Sequence, residues 1–175
     1  MDRCVRSLNR VLIAVIAVGF VASGAWAGVS DPVPLINGTE RAKVLYLVPG
    51  VTANANLGTI ISCTSTEKSK DQIVAIEVFE EDPPDVINDI TLGNGVVGTV
   101  SPGENILIEI ATDGTINGFN ADENFSTTDD VVHGSARVLS TSKKLICTAA
   151  IVEVDGIPPD TMMQINMIVK KQKGD

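Results

Sequence analysis

Aromatic residues make up 3 % of this 175-residue chain, and histidine occurs once, as His133. The single tryptophan, Trp26, lies near the N-terminus, and beyond it the rings are Tyr46, Phe79, Phe119 and Phe125. Stacking platforms for bases or sugars need several exposed rings, so recognition of that kind is disfavoured. One histidine leaves imidazole metal clusters and histidine-based nucleophile activation little to draw on, and no Gly-x-Ser-x-Gly elbow is present. Basic residues are also scarce, thirteen against twenty-two acidic ones, for a net charge of −9. That field repels phosphate backbones and anionic membrane surfaces, so the reading includes no nucleic-acid partner.

What is present begins with a leader. Arg3, Arg6 and Arg10 precede an apolar run from Val11 to Ala22, and Ala25-Trp26-Ala27 forms a small-x-small cleavage site. Residues 1–27 therefore read as a signal peptide, and the apolar run is too short and too diluted by glycine and serine for stable membrane insertion. Cys4 precedes the run, which argues against a lipidation site. The expected product is exported, periplasmic or extracellular, with 28–41 as a lead-in segment and 42–175 as one domain. The leader holds three of the basic residues and one acid, Asp2, so the remainder carries ten against twenty-one and is more acidic than the whole. Its cations look scattered in sequence, apart from Lys170, Lys171 and Lys173.

Two cysteines remain, Cys63 and Cys147, and an even pair in an oxidising compartment is most simply a disulfide. Closing that loop constrains the unfolded chain by roughly 4–5 kcal/mol in the entropy model.

No stretch beyond the leader holds a helical period for three turns, whereas β-branched runs recur between Gly, Pro, Asn and Asp punctuation. Strands are expected near 43–48, 57–64, 72–80, 88–92, 96–100, 105–111, 134–140, 144–154 and 161–169. Val74, Ile76 and Val78 share one face of their strand, as do Ile106, Ile108 and Ile110, which marks core faces. Both cysteines alternate in phase with apolar neighbours and should point inward. Ser101 to Glu104 suits a type II turn, Thr141 to Lys143 is short enough to pair the flanking strands, and Pro83-Pro84 and Pro158-Pro159 mark loops or corners. The fold class expected is all-β, a two-sheet antiparallel sandwich of immunoglobulin-like type with about eight or nine strands.

The strings Val44 to Gly50, Ile61 to Thr64 and Gly134 to Ser142, with a Cys-Thr-Ala step at Cys147 to Ala149, resemble uncharacterised secreted bacterial β-proteins. The likeness spans most of the chain beyond the leader. It implies a bacterial exported domain and carries no activity or site residue.

Four motifs bear on chemistry. Gly93 to Val100 matches a dinucleotide fingerprint, but that site needs a helix to open at the third glycine, and Ser101-Pro102-Gly103 turns the chain instead. The segment 113–130 crowds hard oxygen donors, and Asp113, Asp122, Glu123, Asp129 and Asp130 are the candidate ligands for Ca²⁺, although the spacing departs from the EF-hand. Glu77, Glu80, Glu81 and Glu109 could supply a carboxylate pair, but Glu77 and Glu109 are expected on solvent faces opposite the apolar ones. Met163, Ile165 and Met167 share one face of the last strand, as core packing. The function expected is a non-enzymatic module for surface recognition or assembly with an unknown protein or surface partner. Segment 28–41, outside the core as drawn, could add as a strand to a second copy. The alternative is a Ca²⁺-dependent binding domain using the acidic segment.

Overall fold

Alternating β-branched side chains favour extended backbone, and each extended segment must find partners for its own N–H and C=O groups. The computed structural model describes residues 32–81, 84–86, 90, 96–112, 116, 122–127, 131–156 and 159–170. Residues 1–27, read from the sequence as a signal peptide, lie outside them. Among them there is no helix, and the strands form three sheets.

A small hairpin pairs β1 (Leu35–Ile36) with β2 (Glu40–Arg41). The six-stranded sheet runs β13 (Ile168–Val169), β3 (Lys43–Ala53), β10 (Val131–Ser140) and β5 (Gln72–Glu81). The far edge of β5 carries β7 (Val96–Val100) and β6 (Pro84–Val86) in tandem. The five-stranded sheet runs β12 (Met162–Ile165), β11 (Leu145–Glu153), β4 (Leu57–Ser65), β8 (Asn105–Thr112) and β9 (Glu123–Thr127). Every pair is antiparallel except β8 with β9, which is parallel and departs from the all-antiparallel expectation.

The main core draws on both larger sheets: Val48, Val51, Val74, Ile76, Val78, Ala136 and Val138 from one, and Ile61, Cys63, Ile106, Ile108, Ile110 and Ala149 from the other. The two alternating triplets read from the sequence are thus core faces. Each such side chain contributes roughly 1.5–3 kcal/mol by leaving water. Gly103, at φ 79°, supplies the positive φ of the turn from Ser101 to Glu104, whose N–H bonds back to the Ser101 carbonyl at 3.0 Å. Pro84 opens the edge strand β6, where its missing N–H is tolerated.

Three expectations are corrected. The short connection after Ser140 does not pair its flanking strands: β10 belongs to the six-stranded sheet and β11 to the five-stranded one, so the chain changes sheets there. The Thr141 N–H bonds to the Ile73 carbonyl instead, at 3.1 Å. Glu77 and Glu109 do not face solvent; both are buried, at 5 % and 1 % exposure. The outer faces of both sheets carry their own cover. On the six-stranded sheet, Ile36 and Ile90 close over Val44, Ala75 and Leu139. On the five-stranded sheet, Ile116 closes over Ile60, Ala111, Ala150 and Val152. Finally, the described part of the N-terminal segment, residues 32–41, belongs to the packed structure. Asn37 (φ 50°) and Gly38 (φ 69°) reverse the chain, the Asn37 N–H bonds to the Ile90 carbonyl at 2.9 Å, and Ile36 is fully buried.

Cys63 and Cys147 form a disulfide, with Cα atoms 4.1 Å apart. They stand directly opposite each other on β4 and β11, so the bridge staples two neighbours within one sheet rather than joining the sheets. The bond fits a non-cytoplasmic compartment. No helix among the described residues is long and apolar enough to cross a membrane.

Candidate functional site

Antiparallel topology sends alternate connections to the same end of the sheets. Ser65 pairs with Leu145, Gln72 with Val100 and Ser140 with Lys43, so the connections 66–71, 101–104 and 141–144 share one end with the start of β3. Glu153 pairs with Leu57 and Val131 with Ala53, which puts 54–56 and 154–161 at the other. The lysines fall almost wholly into the first group. Lys43 opens β3, Lys68 and Lys70 follow β4, Lys143 and Lys144 join β10 to β11, and Lys170 follows β13, all exposed, with Arg41 two residues before Lys43. Glu40, Glu67, Asp71 and Glu104 share that end. At the opposite end stand Glu80, Glu153, Asp155 and Asp160, with no Lys or Arg among the described residues. Cations that look scattered along the chain are gathered into one basic end facing away from an acidic one.

A cleft opens at the basic end. The register of β3 against β10 slips where Tyr46 pairs with Val138 but Val44 with Leu139, leaving Leu45 as an extra residue. Such a bulge re-aims side chains, and here both Leu45 and Tyr46 pack toward the main core. The Tyr46 hydroxyl donates to the Leu145 carbonyl at 2.7 Å, linking β3 to β11 across the two sheets. β12 pairs with β11 only from Ala149 to Val152, and the chain then crosses through Asn166 and Met167 to join β3 as β13. The gap between the start of β11 and the end of β13 is a cavity of about 310 Å³ lined by Leu45, Tyr46, Leu145, Val169, Lys143 and Lys170. An apolar floor with two ammonium groups suits a carboxylate carried on an aliphatic stem.

The connection that holds Lys143 is stiffened by a polar network. The Ser142 hydroxyl donates to Glu67 Oε1 at 2.5 Å, and Lys144 Nζ reaches Glu67 Oε2 at 3.2 Å. The Ser140 hydroxyl donates to Gln72 Oε1, and Gln72 Nε2 donates to the Lys144 carbonyl, both at 3.1 Å. Gln72, Ser140 and Glu67 are buried, and a satisfied buried network fixes geometry. The Ser142 hydroxyl, and after it Lys144, hold the Glu67 carboxyl below the usual carboxylate range against the opposing effect of burial.

The other sequence candidates are dispersed. Asp113, Asp129 and Asp130 lie outside the described residues. Asp122 is exposed and accepts the Leu107 N–H on Oδ2 at 2.7 Å, tying the entry of β9 to β8, and Glu123 opens β9. Among the described residues no group of three or more His, Cys, Asp or Glu side chains is placed to hold a metal ion. His133 is exposed on β10. Glu77 pairs with Arg137, which stands directly opposite it on β10, reaches the Pro32 carbonyl at 3.4 Å and lies 5.3 Å from the Phe79 ring centroid. Glu109 Oε2 accepts the Ile116 N–H at 3.2 Å, whereas Oε1 has no hydrogen-bond partner among the described residues, and burial pushes this carboxyl up. The two glutamates alternate with core residues of different sheets and face outward on opposite sides, so they cannot flank one scissile bond. Met163 is 57 % exposed rather than packed, while Ile165 and Met167 do pack against the core.

The cleft was missed in the sequence although its signal was there: lysines sit at strand boundaries, and alternate boundaries share an end. Comparison with known protein families, with curated proteins and with solved structures finds no match to this chain.

Proposed function

We propose that this chain is an exported, non-enzymatic module of immunoglobulin-like β-sandwich architecture that acts in surface recognition or assembly through its basic end. The observation that carries the reading is that, among the described residues, the exposed Lys and Arg side chains share one end of the sheets, where Lys143 and Lys170 rim an apolar-floored cleft. A net charge of −9 repels anionic partners everywhere else, so an acidic partner is steered to this end. The disulfide supports export, and the shared core of the two sheets supports a sandwich. The binding surface is rigid, because the network around Glu67 and the Tyr46 to Leu145 bond fix both walls.

Surface plasmon resonance with immobilised protein and poly-L-glutamate as probe tests this reading. Binding that weakens with salt and is lost in the double variant Lys143→Ala, Lys170→Ala supports it. No binding, or binding that the double variant leaves unchanged, overturns it.

A further inference from the structure

The chain carries, at its own opposite end, the kind of surface that its basic end fits. Glu153, Asp155 and Asp160 lie at or beside the 154–161 connection, with Asp155 and Asp160 exposed and Met162, 60 % exposed, close behind them. The cleft at the basic end offers Lys143 and Lys170 around Leu45, Tyr46, Leu145 and Val169. Carboxylates next to an exposed aliphatic side chain are what such a cleft accepts. We propose, building on the recognition reading above, that the partner is a second copy of this chain, whose acidic end docks on the lysine-rimmed cleft of the first.

The arrangement has a definite symmetry. The two contacting surfaces differ, so the interface is heterologous, and a bound pair still presents one free basic and one free acidic end. Because the strands run from one end to the other, over about 30 Å for a ten-residue strand, the two ends face away from each other and copies add in a row rather than closing as a pair. The contact is ionic at its rim and is therefore weakened by salt, while like-charged ends repel and enforce head-to-tail order.

Charge reversal gives the test. Lys143→Glu with Lys170→Glu reverses the charge at the rim of the cleft; Asp155→Lys with Asp160→Lys reverses the two exposed carboxylates proposed to dock on it. All four positions are exposed, and folding is checked by far-UV circular dichroism and thermal melting. Sedimentation velocity of the full exported chain is run at about 50 mM and about 500 mM sodium chloride, on either side of physiological screening. The expected result is a weight-average mass for the unmodified chain that rises with concentration by at least about twofold at low salt and falls back at high salt. Each charge-reversed variant alone stays monomeric, and an equimolar mixture of the two assembles. Assembly of either folded variant alone, or failure of the folded mixture to assemble, overturns the proposal. An unmodified chain that stays monomeric at low salt overturns it too. If that monomer still binds poly-L-glutamate through Lys143 and Lys170, the recognition reading stands and only the identity of the partner is wrong.

Discussion

Replacing Arg137 by methionine removes one half of a buried ion pair while keeping most of the side chain's volume. Arg137 and Glu77 are 2 % and 5 % exposed and stand opposite each other on adjacent strands. The guanidinium also bonds the Pro32 carbonyl and lies over Phe79, so its loss leaves a carboxylate buried without its cation and removes one of the anchors of the N-terminal segment. Breaking a buried pair from one side costs about 3–5 kcal/mol. With an unfolding entropy of about 2 cal/mol/K per residue over roughly 140 residues, that becomes a fall in Tm of roughly 10–17 °C. The double variant Glu77→Leu, Arg137→Met removes both charges and should lie within about 1 kcal/mol of the unmodified chain. Urea unfolding of the four proteins of the cycle, followed by circular dichroism, measures the coupling. A loss below about 1 kcal/mol for Arg137→Met would be the cost of a surface pair and would refute the burial argument.

Other consequences are equally direct. Folded Glu109 holds its proton to higher pH than the unfolded chain does, so its contribution to stability is present in acid and is lost as pH rises through the raised value. Glu109→Gln should therefore gain on the unmodified chain as pH rises above the ordinary carboxylate range; a pH-independent difference in urea midpoint contradicts this. Glu67 works in the opposite sense: its lowered value gives stability that is present at neutral pH and lost as pH falls, so Ser142→Ala should move the acid limb of unfolding to higher pH. Gly134 has the Val51 and Phe79 carbonyl oxygens 3.0 and 3.2 Å from where a Cβ would stand, so Gly134→Ala should cost about 1–3 kcal/mol in chemical denaturation. Replacing both Cys63 and Cys147 by alanine should lower stability by about 4–5 kcal/mol and leave the far-UV spectrum of the folded form intact, because β4 keeps β8 and β11 keeps β12 as ladder partners.

The sequence revealed faces better than it revealed what covers them. Alternation located Ile76 and Ile108 on core faces because a strand sends successive side chains to opposite sides. It could not show that the opposite side is also covered, since Ile36, Ile90 and Ile116 come from segments with no period of their own. Glu77 and Glu109 were misplaced for that reason. The disulfide followed from cysteine count and compartment, whereas its placement within one sheet depended on a strand order that short, similar strands do not encode locally. The Asn37-Gly38 pair carried a hairpin signal that the reading of 28–41 as a lead-in passed over: two successive left-handed residues are what a tight reversal needs. The basic end required topology before charge could be mapped onto it.

Among the described residues the first long strand, β3, has β10 and β13 as its ladder partners, and both belong to the last third of the chain. Its backbone donors and apolar side chains therefore wait, unpaired, until almost everything else has been made. Pairings this distant in sequence demand loop closure before any contact repays it, so folding belongs on the slow side, in milliseconds to seconds rather than microseconds. A chain emerging N-terminus first stays extended and adhesive for the whole of its emergence. How long that strand stays exposed is thus set by when β10 and β13 become available, late in the same chain.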